Sequence, residues 1–247
     1  LLGFIEDIIS EKCGKINSVC DIFAGTGVVG ERFNNPEIKL ISNDFLSANH
    51  ACLQAFLGTS IDMQEVISQK IDYLNKLSSD EDNYFSKHFG GTYFSKENAK
   101  KIGVVREEIE RISETDTEKN ILICSLLYAM DKVANTVGHY DAFRKNLDML
   151  QSIKLLVPII DYLNNQNNEI YKENANALIR KISCDVLYLD PPYNSRQYSD
   201  AYHLMENLTE WKKPDVAGIA KKMDRSHIKS SYCLKNATQS FEDLIKN

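Results

Sequence analysis

The chain has 247 residues, enough for one large domain or for a core that carries an insertion. Its formal charge of −6 and its 43% hydrophobic content are ordinary for a globular protein and weigh mildly against a uniformly basic nucleic-acid binder. There is no apolar run of membrane-spanning length, and the six cysteines contain no Cys-x-x-Cys pair, so we expect reduced thiols in a cytoplasmic protein rather than a zinc site or a membrane protein.

The first 58 residues alternate between helical and strand patterns. Apolar residues recur at helical spacing before Gly14 and before Gly58, and two short apolar runs between them have the composition of strands. The pattern predicts helices over residues 1–12, 28–33 and 46–57 and strands over residues 18–23 and 38–42. This is a β-loop-α-β-α unit, which is typical of an open α/β sheet.

The loop of this unit reads Ala-Gly-Thr-Gly-Val-Val-Gly over residues 24–30. Small residues let the backbone approach a ligand closely, and a helix amino terminus favours polar or anionic groups. The glycines match the dinucleotide-binding pattern Gly-x-Gly-x-x-Gly, and Asp44 follows the predicted second strand, where a carboxylate can accept hydrogen bonds from ribose hydroxyls. This segment alone is compatible with a nicotinamide-dependent enzyme and with a methyltransferase.

Residues 59–152 interrupt the alternation of strands and helices, because their patterns are mainly helical. We predict helices over 61–77, over 95–111 with Ser95 as the cap, and over 118–137 with Thr117 as the cap, with irregular backbone over 84–94. The segment 136–145 places aromatic residues beside basic ones in a glycine-containing loop, a combination that suits base stacking and phosphate contact. The residues that we predict there as DNA contacts are Tyr140, Arg144 and Lys145.

The remaining chain returns to short strand patterns. We expect strands over residues 153–160, where the chain would re-enter the sheet, over 169–172 and over 186–189, and helices over 175–181, 202–211 and 238–246. Residues 211–235 contain seven Lys or Arg and two Asp, and this local charge of +5 could follow a phosphate backbone. With the loop before it, this segment supplies the further predicted DNA contacts Arg196, Tyr198, Lys221, Lys222, Arg225 and Lys229, and residues 230–232 could add to them.

The predicted strand 186–189 ends in Asp190-Pro191-Pro192-Tyr193. Proline cannot donate to a strand ladder, so this strand must end there, and we expect it to be buried in a parallel sheet. The carboxyl ends of parallel strands are where α/β sheets bind ligands. A carboxylate and a proline carbonyl offer two acceptors for an exocyclic NH2 group, and Tyr193 offers a flat face on which a base could stack.

These four residues resemble the catalytic motif of amino-group DNA methyltransferases, whose Asp form is most typical of adenine-N6 enzymes. The continuation over residues 194–198 and 202–208 resembles the Dam-like (alpha) group of enzymes in restriction–modification systems. Residues 23–27, preceded by Asp21, resemble the S-adenosylmethionine motif of methyltransferases. Both motifs together favour a methyltransferase over a dehydrogenase, which would not require the second motif.

The resemblance implies an α/β fold, a doubly wound Rossmann-like methyltransferase sheet with a mainly helical insertion. It implies a cofactor-binding half over residues 1–58, a target-recognition insertion over 59–152 and a catalytic half over 153–247. We also expect truncated termini, because the sequence has no initiator Met and stops within a predicted helix. No metal is required for this chemistry.

The same resemblance implies S-adenosyl-L-methionine as cofactor, double-stranded DNA as substrate and a cognate restriction endonuclease as partner. Asn174 stands where related enzymes commonly carry the Asp that meets the cofactor's adenine. The implied catalytic residues are Asp190, Pro191, Pro192 and Tyr193, and the implied cofactor-binding residues are Asp21, Phe23, Ala24, Gly25, Thr26, Gly27, Asp44, Phe45, Asn174 and Asp190.

Three alternatives remain open from the sequence. The enzyme could methylate cytosine N4 or RNA instead of adenine in DNA. The chain could be a catalytically impaired methyltransferase-like subunit that only binds DNA. The glycine loop alone would also fit a nicotinamide dehydrogenase. Cytosine-C5 methylation is disfavoured, because it needs an attacking thiolate and the chain has no Pro-Cys dipeptide.

Overall fold

A computed structural model describes residues 1–145 and 151–247, which divide into two compact units. Unit 1 consists of residues 1–62, 159–195 and 230–247. Unit 2 consists of residues 63–158 and 196–229, of which 146–150 lie outside the described residues. Among the residues that the structure describes, no helix is both long and apolar enough to cross a membrane.

The elements are named in chain order, and those of unit 2 are α4 to α7, α9 and α10. The first five are α1 (Leu2–Cys13), β1 (Ser18–Asp21), α2 (Val28–Phe33), β2 (Lys39–Asn43) and α3 (Ser47–Phe56). The next four are α4 (Gln64–Lys76), α5 (Tyr84–Phe89), α6 (Lys96–Ile112) and α7 (Asp116–Lys132). The last six are β3 (Glu169–Tyr171), α8 (Ala175–Leu178), β4 (Val186–Tyr188), α9 (Tyr198–Ala201), α10 (His203–Glu210) and α11 (Ala237–Lys246).

Unit 1 is built on a parallel sheet with the strand order β3-β2-β1-β4. The chain adds β2 and β3 on one side of β1 and then returns to place β4 on the other side. The strand order therefore reverses between β1 and β4. In open α/β sheets, ligands bind outside the carboxyl ends of the strands at such a reversal.

Side chains alternate across this sheet and pack into two hydrophobic clusters. Val19 and Leu40 belong to the cluster that includes residues of α1, α2 and α3, whereas Cys20 and Ile41 belong to the cluster that includes residues of α8 and α11. Consecutive residues of a strand point to opposite faces, so both faces of the sheet are covered. The predicted α/β class with a doubly wound sheet is confirmed.

Helices form the core of unit 2, with α7 the most deeply buried of those described. Its residues from Ile121 to Leu127 are all buried. Ser95 caps α6 as predicted, by accepting a hydrogen bond from the backbone N–H of Asn98. The prediction of Thr117 as the cap of α7 was wrong by two residues. Thr115 is the cap, because its side chain accepts a hydrogen bond from the N–H of Glu118 and the helix begins at Asp116.

The prediction of a strand over residues 153–160 is wrong. The apolar, β-branched run that suggested it is partly buried, since Ile153 and Leu155 are buried. However, their backbone groups bond to side chains of unit 2 instead of a strand: the Ile153 N–H donates to the Asn98 side chain, and Asn75 bonds both the N–H and the carbonyl of Leu155. Extended backbone satisfied by side chains has the same sequence pattern as a strand.

The predicted segment 153–247 also differs from the structure, because residues 196–229 belong to unit 2. Arg106 of α6 is fully buried and donates to the carbonyls of Leu208 and Thr209, which fixes the end of α10 to this unit. The buried Tyr93 hydroxyl donates to the carbonyl of Ala220. Such long-range bonds leave no periodic signal in the sequence.

Candidate active site

The two sequence motifs follow neighbouring strands and leave the sheet at the same edge. In the parallel register, Asp21 at the end of β1 lies opposite Tyr188 at the end of β4. The glycine loop begins three residues after Asp21, and Asp190 comes two residues after Tyr188. The point where the strand order reverses therefore holds both the glycine loop and the Asp-Pro-Pro-Tyr sequence.

The glycine loop has a backbone that its glycines make possible. Gly25 and Gly27 have positive φ angles of 56° and 93°. A Cβ atom on Gly27 would lie 2.8 Å from Leu53 Cδ2 and 3.0 Å from Leu57 Cδ1, whereas a Cβ atom on Gly25 would meet open space. Gly27 is thus required for packing against α3, and Gly25 leaves the backbone accessible from outside.

Asp44 holds this loop in place. One of its carboxylate oxygens accepts from the N–H of Gly25 at 3.0 Å, and the other accepts from the N–H of Leu46 at 2.8 Å. Burial raises the pKa of Asp44 to about 6, although these backbone donors and Asn49 counteract the rise. The carboxylate therefore joins the end of β2 to the loop that follows β1.

Asp21 is a buried carboxyl group without a full set of partners. It is 1% exposed, and its Oδ1 atom has no hydrogen-bond partner among the described residues. Burial raises the pKa of Asp21 to about 7, the Phe23 N–H lowers it in part, and the negative charges of Asp44 and Asp190 raise it further. The carboxyl groups of Asp21, Asp44 and Asp190 thus interact electrostatically at this edge, and a positively charged ligand would reduce their mutual repulsion.

The Asp-Pro-Pro-Tyr residues are accessible. Asp190 is exposed, Pro191 and Pro192 are half-buried, and the Tyr193 side chain is 84% exposed. The strand before them was expected to be buried, but β4 is half-buried and its only described partner strand is β1. The motif is therefore accessible from solvent, directly after the end of a strand of the sheet.

The sequence interpretation missed Asn43, which lies between these groups. Its side chain is buried and bonds the Ile22 carbonyl at 3.0 Å and both backbone groups of Glu173, at 3.1 Å and 2.9 Å, while its own carbonyl accepts from the N–H of Ala24. Asn43 thus connects the carboxyl ends of β1, β2 and β3. A polar residue at the end of an apolar strand was the signal that could have identified it.

The other predicted cofactor residues lie around this edge in different environments. Phe23 is half-buried and packs edge-on against Tyr232, with 5.0 Å between ring centroids, whereas Phe45 is 39% exposed. Thr26 is exposed and Ala24 is buried. Asn174 is exposed, and its side-chain oxygen caps α8, which leaves the amide NH2 as the group available to a ligand.

The residues fit a cofactor that combines polar and cationic groups. The unpartnered Asp21 oxygen offers a buried acceptor, and the open space beside Gly25 admits a ligand against the backbone. Among the described residues, no group of three or more His, Cys, Asp or Glu has an arrangement that could hold a metal ion.

The predicted DNA contacts in unit 2 divide according to their partners. Lys222 donates to Asp141 at 2.5 Å, and Arg225 donates to Asp200 at 2.6 Å. Lys221 and Lys229 form no ion pair within the described part of the chain. The sequence could not distinguish these two kinds of lysine, because the acidic partner of Lys222 lies 81 residues away.

Aromatic and loop residues of the prediction also differ in exposure. Tyr140 is 0% exposed and its hydroxyl bonds Asp131, so its side chain cannot contact DNA in this structure and we correct that prediction. Arg144 and Lys145 are exposed. The Nη2 atom of Arg196 lies 3.1 Å from the Oδ2 atom of Asp141. Tyr198 is 48% exposed, and its ring is stacked on that of Tyr202.

Tyr232, the aromatic residue of segment 230–232, is buried. Tyr232 belongs to unit 1, is 7% exposed and bonds Asn176 through its hydroxyl at 2.6 Å. The suggestion that it contacts DNA is therefore wrong. Its position in a basic stretch of sequence was misleading, because an aromatic ring gains more from burial against Phe23 than from exposure.

A doubly wound sheet, a glycine loop at its strand reversal and an Asp-Pro-Pro-Tyr sequence on the neighbouring strand define a Rossmann-like methyltransferase. Comparison with known families specifies the class further. The chain belongs to the family of D12 class N6 adenine-specific DNA methyltransferases, whose family model matches residues 1–247. The prediction of this class of enzyme from the two motifs is confirmed.

Individual relatives have names that agree with this family. The chain is 34% identical to the type II methyltransferase M.NlaIII of Neisseria lactamica, over 100% of this chain and 77% of that protein. It is 34% identical to the modification methylase StsI of Streptococcus sanguinis, over 92% of this chain and 37% of that protein. It is 32% identical to the type II methyltransferase M.FokI of Planomicrobium okeanokoites, over 100% of this chain and 41% of that protein.

Proposed function

We propose that the protein transfers a methyl group from S-adenosylmethionine to the N6 atom of adenine in duplex DNA. The observation that carries this proposal is the position of Asp190 and its prolines next to β1, at the strand end opposite Asp21. A donor bound against the glycine loop and an amine held by Asp190 would then share one edge of the sheet. The methyl donor supplies an electrophilic methyl group on a sulfonium.

The chain's own residues provide the donor site. Gly25 leaves room for a ligand against the backbone, and Asp44 fixes the loop in that conformation through the Gly25 N–H. Phe45 offers an accessible ring to the donor's base. The side-chain oxygen of Asn174 is engaged in capping α8, so Asn174 would donate to a ring nitrogen of that base rather than accept from its amine.

Asp190 and Pro191 would orient the reacting amine. Their carboxylate and carbonyl oxygens would accept hydrogen bonds from the two N6–H groups. These bonds would direct the nitrogen lone pair toward the donor and stabilise the positive charge that develops on the nitrogen. The amine would gain the methyl group as the bond between that methyl and the sulfonium sulfur breaks, S-adenosylhomocysteine would leave, and the amine would lose one proton to the surrounding water. Tyr193 would stack on the adenine, and the chain accelerates the reaction mainly by positioning the two reactants.

Adenine N6 is inside the base stack of a duplex, so the target must be extruded before it can reach Asp190. Extrusion costs a few kcal/mol, which contacts in the pocket and along the backbone must offset. Unit 2 offers cations for that purpose: Arg144 and Lys145 are exposed, and Lys221 and Lys229 have no ion-pair partner within the described residues. Arg196 and Tyr198 extend this proposed surface.

Relatives named as modification methylases and type II methyltransferases support a role in a restriction–modification system. On this proposal, the chain protects host DNA from a cognate endonuclease that recognises the same site. We expect a cytoplasmic location, since host DNA is there and the described cysteines are all free thiols.

The proposal is tested by identifying the methylated product. The protein is incubated with genomic DNA and S-adenosylmethionine labelled in the methyl group, and the DNA is digested to nucleosides. We expect the label in N6-methyl-2'-deoxyadenosine, none in N4-methyl-2'-deoxycytidine and none when the DNA is replaced by RNA. Label only in the cytosine product would contradict the adenine assignment, and DNA binding without transfer would favour a subunit that only binds DNA.

A further inference from the structure

Tyr232 is a buried tyrosine of unit 1 that contacts two segments which follow different strands of the sheet. Its ring packs edge-on against Phe23, with 5.0 Å between the ring centroids and an interplanar angle of 79°. Its hydroxyl donates to the side-chain oxygen of Asn176 in α8 at 2.6 Å. Burial raises the pKa of Tyr232 to about 12, so the hydroxyl keeps its proton and remains a donor at neutral pH.

The series of contacts continues from Asn176 to Asn174. The backbone N–H of Asn176 donates to the side-chain oxygen of Asn174 at 3.0 Å. The side-chain NH2 group of Asn176 donates to two acceptors of α11, at 2.8 Å and 2.7 Å, which holds this side chain in one orientation. An unbroken series of contacts therefore runs from the Phe23 ring through Tyr232 and Asn176 to the side chain of Asn174.

Both ends of this series belong to the proposed donor site. Phe23 directly precedes the glycine loop, and Asn174 is the proposed contact to the base of the donor. Asn43 bonds the main chain of the residue before each of them, and so it fixes the backbone at the two strand ends. Tyr232 acts one step further out, because it contacts the Phe23 side chain directly and the Asn174 side chain through Asn176.

We propose that Tyr232 is a positioning residue for the methyl donor, because it sets the separation between Phe23 and Asn174 so that one donor molecule can contact both. This inference rests on the proposed function, since it requires a donor at this edge of the sheet. A ligand that must meet two fixed contacts at once is more sensitive to their separation than a fragment that meets only one. The effect of Tyr232 is therefore on donor binding and not on the chemical step.

The test compares two substitutions of Tyr232 by calorimetric binding of S-adenosylhomocysteine. Tyr232→Phe keeps the ring against Phe23 and removes the hydroxyl, whereas Tyr232→Leu removes both contacts. We expect Kd to rise about three- to tenfold for the first variant and about 10-fold or more for the second. In the methylation assay, Tyr232→Phe should raise KM for S-adenosylmethionine while kcat stays within about twofold of the wild type.

A shorter ligand separates positioning from a general weakening of the fold. The ligand 5'-methylthioadenosine has the base, the ribose and the sulfur of the donor but lacks its amino-acid part. Its affinity is measured by displacement of S-adenosylhomocysteine, so that only the donor site is counted. We expect Tyr232→Phe to change this affinity by less than about twofold, because the shorter ligand can follow a displaced base contact without losing a second one.

A matched control is Tyr73→Phe. It also removes a tyrosine hydroxyl with a hydrogen bond of 2.6 Å, in this case to Glu108 within unit 2. This variant should bind S-adenosylhomocysteine as the wild type does. Thermal melting of every variant establishes that it is folded at the temperature of the binding assay, and if Tyr232→Leu is not, Tyr232→Phe decides the question.

Two results would overturn this role of Tyr232 without affecting the proposed function. One is a Tyr232→Phe variant that binds S-adenosylhomocysteine as tightly as the wild type. The other is an equal loss of affinity for S-adenosylhomocysteine and for 5'-methylthioadenosine, which would mean that Tyr232 only stabilises the surroundings of the base. If the wild-type protein binds neither S-adenosylmethionine nor S-adenosylhomocysteine, the proposed function fails first and the positioning role fails with it.

Discussion

The carboxyl edge of the sheet in unit 1 and the basic segment of unit 2 position their functional groups by different means. At the sheet edge, strand register alone places the glycine loop beside the Asp-Pro-Pro-Tyr sequence. In the basic segment, each cation depends on whether an acid from a distant part of the chain neutralises it, as Asp141 does for Lys222. The strand and loop motifs at the sheet edge are readable from sequence, whereas the ion pairs of the basic segment are not.

Gly25 and Gly27 of the glycine loop allow the strongest test of how the sheet edge is built. Gly27→Ala should destabilise the fold by about 2–4 kcal/mol, because the new methyl would meet Leu53 and a φ of 93° is strained for alanine. Gly25→Ala should cost only about 1 kcal/mol in stability, because its Cβ meets open space and its φ of 56° is a permitted left-handed conformation.

The two glycine variants should also differ in their affinity for S-adenosylmethionine. Gly25→Ala should weaken S-adenosylmethionine binding about 10-fold or more, since the methyl would occupy the space assigned to the donor. Calorimetry and thermal melting on the same samples measure both effects. A Gly25→Ala variant that binds the donor like the wild type would remove the loop from the cofactor site.

A second prediction concerns the buried carboxyl group of Asp21. Its pKa of about 7 means that it is largely protonated in the free protein below neutral pH. A cation bound nearby favours the ionised form, so binding would release a proton and the affinity for S-adenosylmethionine should rise with pH by up to about 10-fold per unit until about pH 7. S-adenosylhomocysteine, which lacks the sulfonium charge, should show a weaker dependence.

Asp21→Asn should flatten this pH dependence, and calorimetry in buffers with different ionisation enthalpies would detect the loss of the released proton. The same raised pKa favours folding at low pH, and this contribution is lost as the pH rises from about 4 to about 7, so Asp21→Asn should gain stability relative to the wild type toward neutral pH. Identical pH profiles for the two cofactors would argue against a positive charge near Asp21.

The smallest expected effect distinguishes two adjacent lysines of unit 2. Lys221→Ala should weaken DNA binding several-fold, about 1 kcal/mol, and reduce the salt dependence of binding by about one unit, because this cation has no partner within the described residues. Lys222→Ala should change the salt dependence less, because Asp141 already neutralises Lys222. Equal salt slopes for the two variants would mean that the ion pair does not persist when DNA binds.

The successes and failures of the sequence analysis follow the same division. Helix α2 and its glycine loop were predicted correctly, because glycine spacing and strand periodicity are local patterns. The cap of α7 was predicted two residues too late, because Thr115, Asp116 and Thr117 are all residue types that can cap a helix. Cap choice depends on which backbone N–H groups remain unsatisfied, and composition does not show this.

Buried polar and aromatic residues were the main source of error. Tyr140 and Tyr232 occur in segments that look exposed and basic, yet both rings are buried. Asn43 looked like an ordinary strand end but connects three strands through its side chain. In each case the decisive partner is more than 20 residues away or on another element, and so only the folded chain reveals it.

The most direct test of the central claim uses Asp190. The proposal assigns its carboxylate to the reacting amine, so a variant of this residue should lose methyl transfer while it largely keeps donor binding. Asp190→Ala and Asp190→Asn should each lower the rate of N6-methyladenine formation by roughly 1,000-fold or more, while calorimetry shows S-adenosylmethionine binding within about threefold of the wild type. Transfer at the wild-type rate in either variant would contradict the account.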